Sequence, residues 1–568
     1  MKQYIKNKET KFFILIFSIM IGIKVHAQNF EWAKSFGGSY SHNGSYSVTV
    51  DGSGNVYTIG YFGGTADFDP SSNTFNLTSS GGTDIFISKL DASGNFVWAK
   101  KIGGTGNDYG RYICTDPSGN LCITGYFENS ADFDPNAGTF TLTSAGYNDI
   151  FILKLDADGN FIWAKSIGGA GLDKSYSIAT DGLGNVYTTG SFQNTIDFDP
   201  GVGVFNLTPI GNADIFVCKL DANGNFVWAK NMGGSSYDEG NSIDVDNAGN
   251  VYVTGYFYGT ADFDPTSGVF NMTAPGAYSD IFISKFDTDG NFIWAKQIGG
   301  AKDEVSYSIN VDLPGYIHIS GSFENTVDFD PGTSVFNLTS VGFLDMFVVK
   351  LDNNGNLVWA KQMGGSTNHD IAYSVCTDTF GNVYTTGVFN GGDYDPGPGV
   401  YNLVGNGIFF SKLDIDGNFI WAKQITLGSY YMNTFRYCIV VDNIGNIHTA
   451  GEFIGSSDFD PGTGIFNLGI TTFSYSGAFI HKMGQTATEI ENIIYDETSP
   501  NIYPNPSNGT FYLNHIKHEN TYVVVDITGK IVQTGTLING LNIVNLGNLP
   551  NGFYLLRTED KIFKLIKE

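Results

Sequence analysis

"QNFEWAKSFGG", residues 28–38, is the end of a repeat standing at the front of the chain. Every other copy of the phrase closes a longer unit that opens on "DIFISKLD", as in "DIFISKLDASGNFVWAK" at 84–100. The last unit has the opposite defect. After "GNIHTAGEF" (445–453), "SDFDP" (457–461) and "IFNLG" (465–469) it stops at "GAFIHKMG" (477–484), with no "GNFxWAK" behind it. A strand left at a sheet edge presents a row of unpaired N–H and C=O groups. Setting "NFEWAK" beside "AFIHKM" covers that edge with a strand from the other end, which predicts a ring and not an open, capped solenoid.

The period is read from the tryptophans. All seven lie in "WAK", at Trp32, Trp98, Trp163, Trp228, Trp294, Trp359 and Trp421, at intervals of 66, 65, 65, 66, 65 and 62 residues. Between the first two run "YSVTVDGSGNVYTIGYF" (46–62), "ADFDP" (66–70), "TFNLTS" (74–79), "DIFISKLD" (84–91) and "GNFVWAK" (94–100), and the later copies repeat them. Short runs of Val, Ile, Phe, Tyr and Thr, broken by Gly, Asn, Asp and Pro, are strand-and-turn grammar. "LDASGNF" and "TDGLGNV" are hairpin turns in which Gly and Asn accept positive φ. Two hairpins per copy make a four-stranded sheet, and sheets repeated about an axis make a β-propeller. The expected fold is all-β: a seven-bladed β-propeller closed by N- and C-terminal strands, then a small β-sandwich. A familiar propeller blade takes roughly 40 to 45 residues, so the "ADFDP…FNLT" segment is surplus and is expected to form a hairpin arm.

The chain has 568 residues, and its first 27 carry Lys2, Lys6, Lys8 and Lys11, the apolar run "FFILIFSIMIGI" (12–23) and small Ala27. This reads as a secretory signal peptide, with an apolar run too short to span a bilayer. No later stretch reads as a membrane segment. Of the net charge of −27, residues 1–27 carry +4 (five Lys, one Glu) and residues 499–568 carry +1 (six basic, five acidic), leaving −32 on 28–498. Such a polyanion repels nucleic acid and anionic membrane. Five cysteines, Cys114, Cys122, Cys218, Cys376 and Cys438, are an odd number and fall where other copies have Ala, Tyr, Ser or Val, so they read as strand residues. Cys114 and Cys122 flank a turn and face each other across a hairpin, where a local bridge is conceivable.

Paired aspartates are the metal candidates, and calcium is the one cofactor their chemistry suggests. "DADGN" (Asp156, Asp158), "DTDGN" (Asp287, Asp289) and "DIDGN" (Asp414, Asp416) resemble the opening of a calcium loop, but sister turns lack the second Asp and no Glu closes them. "DFDP" offers Asp67 and Asp69 and six equivalent pairs, which a type I turn explains equally well. A further acidic position, Asp108, Asp173, Asp238, Asp303 and Asp370, precedes the first strand and is expected to place a ring of charge on one face. No H-E-x-x-H, G-x-S-x-G or Walker-type motif occurs, and near-equal copies offer little of the asymmetry a catalytic site needs. The copies depart from one another at "SYSHNGSY" (39–46), "STNHDIAY" (366–373) and "TLGSYYMNTFRY" (426–437), which read as loop drift.

The phrase "D-x-F-x-x-K-L-D-x-x-G-N-x-x-W" followed by "GNVYVTG" resembles the bacterial β-propeller (SBBP-like) repeat family over 28–484, a resemblance that implies a fold more than an activity. Residues 485–498 read as a linker. Residues 499–568 resemble the type A C-terminal sorting domain of the type IX secretion system, through Tyr503, Pro504, Asn505, Pro506, Gly509 and Phe511, then Asp526, Gly529 and Lys530, then Leu549, Gly552, Tyr554 and the closing "KIFKLIKE". That resemblance implies the secretion machinery as partner, passage through the periplasm, and release or attachment at the outer surface. The function expected from these readings is a non-enzymatic binding module for a glycan or protein ligand. A structural surface protein, or a secreted propeller hydrolase or lyase, is the alternative.

Overall fold

The computed structural model describes residues 28–38, 43–366, 369–427, 436–469, 476–485, 501–503, 507–516, 520–526, 530–558 and 562–567. The signal-peptide reading at 1–27 and the linker at 485–498 beyond Gln485 fall outside them. The chain divides into two compact units, residues 1–486 and 487–568, and no helix occurs among the described residues.

In the first unit a four-stranded antiparallel ladder recurs seven times among the described residues. The first copy runs Asn43–Val50, Val56–Asp67, Asn76–Leu90 and Phe96–Gly104. The turns explain the sequence. In "DASGN", Asp91 Oδ1 accepts the amides of Ser93 and Asn95 (both 2.9 Å) and its Oδ2 accepts the Asn95 side chain at 2.9 Å. Gly94 then takes φ +76°, and a Cβ on it would stand 2.9 Å from the Trp32 ring. The same Asp–Asn clasp shapes the first hairpin, through Asp51 and Asn55.

The last ladder joins the two ends. Cys438–Val441, Ile447–Ile454 and Ser476–Gln485 are completed by Gln28–Phe36, which pairs with Ser476–Gln485 from Gln28↔Gln485 to Phe36↔Ala478. Trp32, Phe36, Phe68, Phe86, Cys438, Ala478 and Ile480 share one core cluster, so this joint is packed as well as hydrogen-bonded. The first strand of each ladder packs on that of the next, and Asn43–Val50 packs on Cys438–Val441.

The surplus residues extend the hairpin between the second and third strands. Thr65↔Thr78 to Asp67↔Asn76 is such an extension, and the arm also reaches sideways, as in Gly103↔Asp132 and Gly37↔Asp67. Its central aromatic is core: Phe68 is fully buried, 5.3 Å from Phe62 and 4.9 Å from Phe86. Cys114 and Cys122 are register partners, yet both thiols are free and burial raises both well above their usual range.

The second unit holds a three-stranded sheet (Asn501–Tyr503, Thr510–Ile516, Gly540–Asn545) and a four-stranded sheet (Ile531–Leu537, Asn520–Asp526, Gly552–Thr558, Ile562–Lys567). Phe511, Leu513, Val524, Val544, Leu556 and Leu565 from both sheets form one core.

Phe36 lies on the joining strand and contacts Phe68 and Phe86 of the first copy, at 5.7 and 6.3 Å. Phe36→Ala is expected to cost about 3–5 kcal/mol, and to lower the urea midpoint of the first unit as a whole. Fraying of the front strand alone, with the rest unchanged, would contradict a seam that the other ladders depend on.

Candidate functional site

In six of the first strands the register slips by one residue, between Ser45/Ser47, Gly110/Tyr112, Ser175/Ser177, Gly240/Ser242, Ser306/Ser308 and Ala372/Ser374. A β-bulge leaves its extra residue unpaired and re-aims its side chain. The residues extruded here are Tyr46, Arg111, Tyr176, Asn241, Tyr307 and Tyr373, and Tyr437 occupies the corresponding place ahead of Cys438–Val441. All seven, with Arg436, line one cavity of about 40 Å³. A cavity touched by the first strand of every ladder lies where those strands converge.

Aromatic packing holds this site together. Ring centroids lie 5.2 Å apart for Tyr46 and Tyr61, 5.4 Å for Tyr61 and Tyr109, and 5.0 Å for Tyr307 and Tyr373. The Arg111 guanidinium stands 4.2 Å from the Tyr46 centroid and 5.4 Å from that of Tyr176. Arg436 stands 5.8 Å from Tyr176 and 5.6 Å from Tyr307. Two carboxyls lie close by, each engaged by a phenol: Tyr61 donates to Glu452 at 3.2 Å and Tyr256 donates to Glu239. Burial pushes the Tyr46 phenol up to about 12 and Glu452 up to about 8. Tyr46 is therefore a hydroxyl donor at neutral pH. The sequence reading missed this column, yet the three divergent segments, 39–46, 366–373 and 426–437, end on Tyr46, Tyr373 and Tyr437.

The aspartates singled out in the sequence do local work. Asp67 Oδ1 accepts the amides of Asp69 (3.0 Å) and Phe75 (2.8 Å), and Asp69 Oδ1 accepts that of Ser71 at 2.9 Å. Asp156, Asp287 and Asp414 each accept the amide two residues on, from Asp158, Asp289 and Asp416, and both the amide and side chain of an Asn. Among the described residues no group of three or more His, Cys, Asp or Glu is placed to hold a metal ion.

In the second unit, Tyr503 ends the strand Asn501–Tyr503, while Pro504, Asn505, Pro506 and Gly529 lie outside the described residues. Gly509 takes φ +112° against Gly547. Asp526 and Lys530 close a turn through Asp526 N–H to Lys530 O (3.0 Å) and Lys530 N–H to Asp526 Oδ1 (3.1 Å). Gly552 opens the strand Gly552–Thr558, in which Tyr554 donates its hydroxyl to Pro550 O at 2.7 Å.

Comparison with known proteins agrees with both units. Residues 162–191, 227–259 and 358–395 match the beta-propeller repeat model, and residues 501–568 match that of the secretion system C-terminal sorting domain. The chain carries SBBP β-propeller repeats and a type IX sorting domain. Such a tail directs a protein through type IX secretion to the outer surface or into the medium. An uncharacterized WD repeat-containing protein of Acanthamoeba polyphaga mimivirus is 25% identical over 74% of this chain and 36% of its own length. The regulatory protein FlaEY of Caulobacter vibrioides is 28% identical over 32% of this chain and 18% of its own. The chain thus spans about a third or less of these relatives. Among solved structures, a europium-containing methanol dehydrogenase is similar at TM-score 0.35 and 12% identity, covering 81% of this chain and 94% of that one. PorZ, a type IX surface component of Porphyromonas gingivalis, is similar at 0.24 and 10%, covering 94% and 100%.

Between successive propeller repeats lie pairs of buried acids. Asp108, Asp173, Asp238, Glu304 and Asp370 are fully buried and meet Asp84, Asp149, Asp214, Asp280 and Asp345 of the preceding copy. The expected ring of charge on a face is therefore corrected to a set of buried pairs between ladders. At the fifth copy the member is Glu304, not Asp303. Glu304 directly precedes the strand Val305–Val311 and accepts the Gly300 amide at 3.0 Å, whereas Asp303 accepts the amide of Ser279. Asp108 accepts the Gly104 amide of the preceding ladder at 2.8 Å and the Glu128 amide of its own at 3.2 Å. A Cβ on Gly103 would stand 2.6 Å from Asp84 Cγ and 2.9 Å from Asp108 Oδ2, so both carboxyls converge on that glycine.

Burial first, then the partner carboxylate, pushes Asp108 up to about 7, Glu304 up to about 9 and Asp370 up to about 7. Lys101, 3.5 Å from Asp84, and Glu128 are the other charged groups near the first pair. A group that binds its proton more tightly folded than unfolded stabilises the fold at low pH, and that stability is lost as pH rises through the folded pKa. The turn aspartates are opposite in sign. Burial works to raise Asp91, but the hydrogen bonds from Asn95 and Ser93 hold it below the usual range, so its stabilisation is lost in acid. Thermal stability is expected to peak in mildly acidic buffer and to fall from about pH 4, where carboxyls of the unfolded chain titrate, up to about 9, the folded value of Glu304. Asp108→Asn should flatten that slope and melt higher than the parent at pH 9; a variant with the parent's slope would remove the pair as its cause.

Proposed function

We propose that the chain is an exported, non-enzymatic binding module whose ligand, a glycan or a protein, is taken at the axial cavity. In this reading residues 1–27 are a signal peptide, 28–484 a closed seven-bladed propeller, 485–498 a linker and 499–568 the sorting domain. The front strand completing the last ladder supports closure, as does the packing of Asn43–Val50 on Cys438–Val441.

The observation that carries the binding reading is the extruded column. Seven bulge-position side chains from seven ladders meet at one place, Tyr in five of them and Arg111 and Asn241 in the others. Tyr supplies large contact area at little entropic cost, and Arg adds a fork of hydrogen-bond donors, the chemistry of recognition surfaces. Partial exposure of Tyr46, Arg111, Tyr176, Tyr307 and Tyr373 leaves this set accessible to a ligand. The sorting tail supplies delivery, and its partner is the secretion machinery.

The test is retention of the exported chain on a panel of polysaccharides and cell-surface preparations, with Tyr176→Ala beside the parent. Specific retention of the parent and a loss of about tenfold or more in the variant, the scale of one buried contact, is the expected outcome. Equal retention of both would place binding elsewhere. A parallel arm in chelator is expected to leave retention and melting temperature unchanged, because Asp67, Asp69, Asp156, Asp287 and Asp414 already accept main-chain amides; a fall in melting temperature would reinstate calcium at Asp67, Asp156 or their equivalents.

A further inference from the structure

Arginine is scarce in this protein. It occurs three times in 568 residues, at Arg111, Arg436 and Arg557, and the first two, 325 positions apart, line the same small cavity. Both guanidiniums lie within 6 Å of one ring, that of Tyr176, at 5.4 and 5.8 Å from its centroid. Neither makes an ion pair among the described residues: the salt bridges there are all formed by lysine or histidine. Two like charges brought together without a counter-charge repel, most strongly where water is thin. One neighbouring carboxyl, Glu239, acts as a counter-charge on Arg111, which leaves two guanidiniums facing one carboxylate. Glu452 is buried, engaged by Tyr61 and largely protonated near neutrality, and Glu239 is engaged by Tyr256.

We infer that the axial cavity binds an oxyanion, the sulfate ester or carboxylate substituent of an acidic glycan, between Arg111 and Arg436. The inference rests on the axial site being the ligand site and adds the class of group it takes. Guanidinium presents a planar fork of donors matched to sulfate and carboxylate oxygens, which the ammonium of lysine does not. Elsewhere the repeats use Lys throughout, so the two exceptions sit where that geometry matters. The protonated phenol of Tyr46 adds a neutral donor beside Arg111. Size points the same way. A cavity of about 40 Å³ takes one small polar group and not a sugar ring, so the substituent enters and the ring stays at the mouth. With −32 on residues 28–498, dense polyanions are repelled from the outer surface, and an isolated acidic substituent is favoured over a charged tract.

The experiment uses the exported chain, the single variants Arg111→Gln and Arg436→Gln, the double variant and Arg111→Lys. The probes are inorganic sulfate, a sparsely sulfated galactan, a largely neutral glycan carrying isolated uronate residues, and neutral dextran. Each variant is first melted without probe, which sets its own reference for the rise that a probe produces. Sulfate also raises melting temperatures by exclusion from protein surfaces, so the measured quantity is the rise in the parent beyond that in the double variant. The expected result is a saturable excess in the parent, retention of one of the two acidic glycans, and a loss of tenfold or more in each Gln variant with partial recovery in Arg111→Lys. Which acidic glycan is held tells sulfate from carboxylate. Retention of dextran that Tyr176→Ala abolishes and the Arg variants leave intact would overturn the oxyanion while keeping the axial site. No retention of any probe, with no excess sulfate effect, would overturn both.

Discussion

The lysine of each "KLD" is buried, and at Lys89, Lys154, Lys219 and Lys350 its ammonium group reaches across to the next ladder, where it donates to a main-chain oxygen in the Asp-x-x-Gly-Asn turn. Lys89 reaches Ala157 at 3.0 Å, Lys154 reaches Ala222 at 3.2 Å, Lys219 reaches Thr288 at 2.9 Å and Lys350 reaches Ile415 at 3.1 Å. The tryptophan of the neighbouring "WAK" donates to the same oxygen in the middle copies, as from Trp228 to Thr288 at 3.1 Å and from Trp359 to Ile415 at 3.1 Å. A buried ammonium without partners costs several kcal/mol, so each ladder needs the turn of its neighbour in place. That requirement passes from copy to copy. At the end of the chain Lys482 meets it with Ala92, at 3.0 Å and 390 positions away, while Trp32 packs on Gly94. The interaction that spaces the copies also joins the first to the last.

This dependence explains how much could be read from the residues. Gly, Asn, Asp, Lys and Trp of the turns recur because each has a neighbour to satisfy, and recurrence with a missing final strand was enough to pair "NFEWAK" with "AFIHKM". The paired aspartates were legible as turn residues for the same reason: Asp67 and Asp156 bind amides within a few positions. Long-range geometry was not legible. Asp303 and Glu304 are adjacent acids, and only the register of Val305–Val311 tells which one enters the pair. The pairs also read as a surface ring because their partners lie in the preceding copy.

The extruded column was hidden by a different cause. A residue on the ladder must suit its cross-strand neighbour and its core, which holds it constant across copies. A bulge residue is released from both demands. The bulge position nonetheless recurs as Tyr46, Tyr176, Tyr307, Tyr373 and Tyr437, with Arg111 and Asn241 the departures, and the next position is as constant, with Ser47 and Ser177 accepting main-chain amides of the following ladder. A bulge is not written in strand alternation, so only the register shows that these seven side chains line one cavity.

The acid pairs supply an internal comparison. In the sixth and seventh copies the D-I-F aspartate is replaced by Gly407 and Gly477, which hold the same register opposite Phe389 and Phe453. Across from Gly477 the member expected to be acidic is Asn43, whose side-chain nitrogen would stand 3.3 Å from a Cβ on Gly37. At this joint, where one carboxyl is gone, the other is replaced by a neutral amide of the same shape. A carboxylate kept there for its charge would have no reason to follow its partner. A carboxyl kept as a neutral, hydrogen-bonding wedge between ladders can be exchanged for an amide freely. The first copy thus carries, in Asn43, the state that the protonated acids of the other joints attain only when the pH allows it.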